Sequence, residues 1–196
     1  MSKQNWVIRT KRADFQALAE QFHVDPVVAR IMVNREIAPE GMEMFLHPEL
    51  ENLHDPFLME DMNQAVRIIF HDIDEGHHIR IVSDYDVDGV MSNYVLYKGL
   101  KRIGAKVDYV IPHRVKDGYG INEEIILKAA EDGVHTIVTC DNGIAAGTAL
   151  AKAKELGMTV VVTDHHQVPF TWEGETKQYI LPPADVILNP KKDVFK

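Results

Sequence analysis

The chain holds 196 residues, 45% of them hydrophobic, with 21 lysines and arginines against 30 aspartates and glutamates and a formal net charge of -9. That is enough apolar material for one core plus an appendage, and the wrong sign for a protein that grips nucleic acid through its own surface charge. The single cysteine, Cys140, excludes an internal disulfide framework and fits a reducing compartment. No apolar run reaches membrane length and no signal-peptide core stands at the N-terminus, so a cytoplasmic protein away from membranes is the expectation.

Residues 1–58 read as a small helical arm. Lys3, Arg9, Lys11 and Arg12 make a basic, flexible tail. Asp14 is placed to cap a helix with Phe15, Leu18, Ala19 and Phe22 on one face. Asp25-Pro26 starts another, with proline at the first helical position and Val27, Val28, Ile31 and Met32 as its stripe. Pro39 starts a third, through Phe45 and Leu46. From Glu60 to Ile73, Met62, Ala65, Val66, Ile69, Phe70 and Ile73 keep helical spacing. His71, His77 and His78 beside Asp72, Asp74 and Glu75 read as a solvated helix end and turn, with a second metal site as the alternative.

From there the pattern changes. Ile79 to Ser83 is an apolar run long enough for one buried strand. Further strands are expected at Val107–Ile111, Thr136–Cys140 and Met158–Thr163. Asn122 caps a helix through Ala130, stopped by Gly133, and another helix runs from about Ile144 to Leu156. A loop is expected from Pro169 to Thr176, with Trp172 packed in it. Nearly all-apolar strands alternating with helices predict a parallel sheet covered on both faces, and residues 59–196 form this α/β domain.

In such sheets, sites lie beyond the carboxyl ends of the strands. The first strand breaks into Asp84, Asp86 and Asp88, the third into Asp141-Asn142-Gly143 and the fourth into Asp164-His165-His166. Crowded carboxylates raise each other's proton affinity, and a hard divalent cation is the occupant that suits them. A calcium loop of EF-hand type is excluded: Gly89 stands sixth from Asp84, but position twelve is Val95 rather than glutamate. A solvated turn is the remaining bland reading. Oxygen-rich ligation with one or two imidazoles favours manganese or magnesium over zinc. Two such ions would suit hydrolysis of a phosphoester. Arg114, after the second strand, reads either as an ion pair with an aspartate or as a bidentate phosphate contact.

Three motifs carry a resemblance: Ser83-Asp84-Tyr85-Asp86-Val87-Asp88-Gly89, Asp141-Asn142-Gly143-Ile144 and Asp164-His165-His166. They resemble the first three motifs of the DHH phosphoesterases, and most of all the RecJ-type exonucleases specific for single-stranded DNA. Leu53 to Met62, Ile111 to Arg114 with Gly118-Tyr119-Gly120, and Asp185 to Pro190 extend the likeness. The resemblance implies a metal-dependent 5′-to-3′ exonuclease of DNA repair and recombination, holding two divalent ions, manganese first and magnesium second. It implies Asp84, Asp86, Asp88, Asp141 and His165 as metal ligands, with Asp141 bridging, and His166, Ser92 and Arg114 at the substrate phosphate; Asp141, His165 and His166 are then the catalytic set. Ser83 stands where the family usually has glycine, and Met91 where it more often has a small residue. The family also continues into a fourth motif with another aspartate and into accessory domains. The chain therefore reads as an N-terminal fragment, its α/β domain incomplete at the C-terminal end. Single-stranded DNA would be held mainly by regions beyond it, with replication and repair proteins as further candidate partners. The alternatives are a DHH enzyme acting on short oligonucleotides, cyclic dinucleotides or pyrophosphate, and a non-catalytic replication scaffold. Small-molecule members more often carry a histidine where Val82 stands, and a scaffold would have lost motif carboxylates.

Overall fold

The computed structural model describes residues 11–115, 118 and 120–192. Lys3 and Arg9 of the basic tail, and Tyr119, lie outside the described residues. The chain divides into two compact units, the first ending at Asp55 and the second beginning at Pro56.

The first unit holds helices α1 (Phe15–Phe22), α2 (Pro26–Asn34) and α3 (Pro39–Leu46) and a 3₁₀ turn at Leu50–Asn52. Its helix starts follow from local chemistry. The Asp14 carboxylate accepts the Ala17 N–H at 3.0 Å and that of Asp25 accepts the Val27 N–H at 2.8 Å, caps of about 1 kcal/mol each. Helix α2 buries Ala29 and Met32, but Val27 and Ile31 of the expected stripe are exposed. A nine-residue helix packed on one side covers a single strip, and residues 27 and 31 lie on the strip beside it.

The second unit carries α4 (Met62–Asp74), β1 (His78–Ser83), α5 (Val87–Arg102), β2 (Lys106–Val110), α6 (Glu123–Glu131), β3 (Thr136–Cys140), α7 (Gly147–Glu155), β4 (Thr159–Thr163), β5 (Phe170–Glu173), β6 (Thr176–Tyr179) and β7 (Val186–Leu188). Five strands form one sheet in the order β2-β1-β3-β4-β7, every pairing parallel. The expected α/β architecture is present, with two additions. Strand β7 joins the edge, and the expected loop around Trp172 is an antiparallel hairpin, β5 with β6. The hairpin turns at Gly174, whose φ is +64°, a conformation glycine adopts freely. Trp172 stands exposed on it, edge-on to Phe170, with Lys177 over the Phe170 ring at 4.3 Å. Helix α7 starts later than expected, at Gly147. Gly143 sits at φ +110°, and the Ile144 N–H donates outside any helix, to the Asp164 carboxylate.

Alternation along the strands divides the core. Ile79, Ile81, Val138, Val161, Val186 and Leu188 face one side with Ala65 of α4 and Leu100 of α5. Val82, Ile137, Val160, Val162 and Ile187 face the other with Ile125, Ile126 and Ala129 of α6 and Leu150 and Ala153 of α7. Burying each large aliphatic side chain contributes about 1.5–3 kcal/mol. The chain runs from β1 through α5 to β2 on one side, then through α6 to β3 on the other side of β1. The crevice beyond the carboxyl ends of β1 and β3 is thus a topological switch point.

Candidate metal centre

Register brings the motifs together. Ser83 pairs with Cys140, Cys140 with Thr163 and Thr163 with Leu188. The next residue on each strand is Asp84, Asp141, Asp164 and Asn189, so the motifs open from a single rung of the sheet. The ladder continues briefly past it, with the Asp141 N–H donating to the Thr163 carbonyl and the Asp164 N–H to the Leu188 carbonyl.

Asp84 is buried, and its Oδ1 accepts the Tyr85 N–H at 2.7 Å. Asp86 caps α5 through the Gly89 N–H at 3.0 Å. That backbone hydrogen bond is the main reason its carboxyl lies below the ordinary range. The cap needs glycine at 89: a Cβ there would collide with the Asp84 carbonyl oxygen. Asp141 is buried at φ +61°, a left-handed conformation that aspartate tolerates better than most residues. Burial pushes its carboxyl above the ordinary range, against the pull of His165, and the charge of Asp86 pushes the same way. Its Oδ1 meets His165 Nε2 at 2.8 Å, while its Oδ2 is buried with no hydrogen-bond partner. Ligand atoms of Asp84, Asp86 and Asp141 lie within 4.8 Å of one another, and so do those of Asp141, His165 and His166.

Asp164 has a different part. Its Oδ1 accepts the His165 N–H at 2.7 Å, the His166 N–H at 3.0 Å and His166 Nδ1 at 2.8 Å, and its Oδ2 accepts the Ile144 N–H at 2.9 Å. The carboxylate is committed to orienting the loop and the second imidazole. Asn189 Nδ2 donates to the His166 carbonyl at 3.1 Å, so β7 holds the same loop from behind. Asn142 is buried, and its Nδ2 donates to the carbonyls of Val82 and Cys140, both at 3.1 Å. This tie across the switch point was not read from the sequence, where Asn142 is one residue of a motif. Cys140, buried beneath the site, has its thiol pushed up to about 11 by burial.

The remaining expected residues stand at the rim. Asp88 lies exposed in the first turn of α5, outside the two tight groups. Ser92 is half-buried on the same helix, its hydroxyl donating to the Gly89 carbonyl at 3.1 Å. Arg114 is exposed, its guanidinium carbon 5.4 Å from the centre of the Tyr85 ring. A cavity of about 370 Å³ opens on the His166 side, walled by Gly120, Asn142, Gly143 and Gln167. An apolar groove lined by Met59, Met62, Met91, Val95 and Leu188 meets Asp88, Asp141 and His165.

These residues fit a hard divalent cation. Adjacent ligands at about 2.1 Å from one octahedral ion lie roughly 3 Å apart, near the spacing of His165 Nε2 and Asp141. An ion would also satisfy the buried Asp141 Oδ2, which otherwise costs about 1–3 kcal/mol. The arrangement defines a class: an α/β domain with a carboxylate–imidazole centre at its switch point. Residues 78–194 match the DHH family, N-terminal domain, and the chain belongs to that family.

Its relatives narrow the class. It is 40% identical over 168 residues to the single-stranded-DNA-specific exonuclease RecJ of Bacillus subtilis (strain 168), covering 85% of this chain and 21% of the relative. It is 37% identical over 133 residues to the enzyme of the same name from Escherichia coli (strain K12), covering 67% and 22%. A crystal structure of exonuclease RecJ bound to manganese superposes with a TM-score of 0.60 at 30% identity, covering 70% of this chain and 33% of that one. The chain spans about a fifth of the length of these sequence relatives. Among the described residues, no helix is long and apolar enough to cross a membrane.

Proposed function

We propose that this chain forms the metal-binding part of a RecJ-type exonuclease that removes nucleotides from the 5′ ends of single-stranded DNA. The observation that carries the reading is the gathering of ligand atoms of Asp84, Asp86 and Asp141 within 4.8 Å of one another, at a carboxylate, that of Asp141, whose Oδ2 is buried without a partner. The relatives support the substrate class, and the manganese-bound neighbour supports the ion. When bound, two divalent ions, manganese in preference to magnesium, supply charge neutralisation at the phosphate and acidify a water.

The side chains do the rest. Asp141 would hold the ions together with Asp84, Asp86 and His165 around it and Asp88 at the outer edge. Asp164 accepts from His166 Nδ1 and so fixes the ring's tautomer, with the proton on Nδ1 and Nε2 on the opposite side of the imidazole. That ring and Arg114 are the groups that meet the scissile phosphate, with Ser92 at the start of α5. The net charge of -9 leaves little attraction for DNA elsewhere on this chain. The main grip on the strand, in a cytoplasmic setting of replication and repair, is assigned to the parts of the protein that the relatives carry in addition.

The test is cleavage of end-labelled single and double strands by the full-length protein. Single strands shorten from the 5′ end with manganese, cleavage stops with chelator, and Asp141→Ala abolishes it. Equal attack on blunt duplexes, or near-normal turnover by Asp141→Ala, overturns the reading.

A further inference from the structure

The opposite edge of the sheet carries a second cluster of ligands. His77 immediately precedes β1 and His135 immediately precedes β3; these are neighbouring strands, and the His135 N–H donates to the His78 carbonyl at 2.9 Å. Both imidazoles lie beside one carboxylate on the last turn of α4, with His135 Nδ1 also 3.0 Å from the Thr136 hydroxyl. Asp72 Oδ1 lies 3.1 Å from His77 Nδ1 and 3.3 Å from His135 Nδ1. The backbone pre-sets the pair, because Gly76 turns the chain at φ +68° and the His77 N–H returns to the Asp72 carbonyl at 2.8 Å. Asp72 is 1% exposed, and its Oδ2 is buried with no hydrogen-bond partner. A solvated helix end, the simpler reading of this histidine-rich stretch, does not account for a buried carboxylate with an unsatisfied oxygen.

We propose that Asp72, His77 and His135 form a second metal site that takes a borderline divalent ion of the zinc class. Three arguments support it. Ligands about 2.0–2.1 Å from one tetrahedral ion lie roughly 3.3 Å apart, the separation already present between Asp72 Oδ1 and each imidazole. The donor set is two nitrogens and one carboxylate, which selects zinc, cobalt or nickel over the manganese and magnesium suited to the carboxylate-rich edge. An ion held by this carboxylate would also offset the buried charge that the orphan Oδ2 shares. The rings are now stacked, with centroids 3.8 Å apart at 20°. They must turn about χ2 to aim both lone pairs at one point, and their side-chain exposures of 32% and 40% leave room for this. Three protein ligands leave one position to water, the pattern of an exchangeable site rather than a closed one. The bound ion would tie α4 to β1 and β3 at the end of the sheet away from the candidate catalytic residues.

The test uses protein in which Asp86→Asn and Asp141→Asn silence the carboxyl edge. Zinc titrated into this background binds with one equivalent and raises the thermal midpoint, cobalt gives a tetrahedral ligand-field spectrum, and excess manganese does not displace either. Adding His77→Ala or His135→Ala, both at half-exposed positions, weakens binding by more than the roughly 10–100-fold that loss of an outer-shell partner costs, with circular dichroism confirming the fold. Zinc binding left intact by either alanine variant, or no zinc equivalent in the silenced background, overturns the site. Displacement by excess manganese overturns the ion class.

Discussion

Asp164 offers the sharpest separation of positioning from metal binding. In Asp164→Asn the amide keeps an oxygen on one side only. If that oxygen remains under His165 and His166, the NH₂ group faces the Ile144 N–H, now at 2.9 Å from an acceptor, and two donors oppose each other. The substitution thus removes one charge-assisted hydrogen bond, about 1.5–3 kcal/mol, and strands a buried donor, about 1–3 kcal/mol. The contacts kept by the amide oxygen also weaken, because the acceptor is no longer charged. The two penalties describe partly the same loss and do not sum in full, so a net loss of about 2–4 kcal/mol follows, or roughly 5–15 °C in thermal midpoint for a unit of this size. That lies within the stability of an ordinary domain, so the protein folds. Manganese affinity, measured by electron paramagnetic resonance, stays within a few fold of the parent because Asp84, Asp86 and Asp141 are untouched. Cleavage by the full-length protein falls more than about tenfold, because His166 loses the charged partner of its Nδ1. A midpoint within 2 °C of the parent, or unchanged cleavage, would refute the assignment of Asp164 as the organiser of this loop.

Gly89→Ala brings a Cβ to within 2.6 Å of both the Asp84 carbonyl oxygen and its carbon. Backbone cannot step aside as a side chain does, so about 3 kcal/mol of stability is lost together with divalent-ion affinity, both read by urea denaturation with and without manganese. Asp141→Asn should raise the thermal midpoint in chelator at pH 7. The folded-state pKa of Asp141 is raised by burial, so stability is lost as pH rises through it, and the gain from the amide disappears below the ordinary value of 3.8; with saturating manganese the order of parent and variant reverses. Arg80→Met should cost about 2 kcal/mol after allowance for solvent screening. It leaves Asp108 and Asp132 without the guanidinium that contacts them at 2.6 and 2.9 Å. Burial raises the Asp108 carboxyl, but the Arg80 hydrogen bonds and charge outweigh it and hold the pKa below 3.8. That contribution is present above pH 3.8 and lost as pH falls through the folded pKa, so the variant's acid unfolding limb is shallower.

Much of the fold was legible because period and punctuation agree. The apolar runs at 79–83, 136–140 and 158–163, and the caps at Asp14, Asp25 and Asn122, are local signals, and each produced the element expected. The convergence of the three motifs was legible too, since parallel strands that end in chemistry place it along one edge. Strand β7 was missed because three residues carry no period. The β5–β6 hairpin was missed because each strand has only four residues, too few for the alternation of Phe170 and Trp172 to stand out as a period. Asp72 with His135 was beyond reach for a different reason. The residues are 63 positions apart in sequence, and only the neighbouring register of β1 and β3 makes them adjacent. The split task within Asp164-His165-His166 was likewise invisible: nothing in the spelling says that the aspartate turns inward while the histidines turn out.

The left-handed backbone at Asp141 bears on how this domain can change over generations. That conformation accepts asparagine nearly as readily as aspartate and rejects branched or bulky side chains. Aspartate and asparagine codons differ by one base. Most routes away from the Asp141 carboxylate therefore damage the fold, and one leaves it intact, or firmer, with its charge erased. A descendant that keeps the architecture and loses this carboxylate lies a single transition away, and asparagine at this position would be its mark.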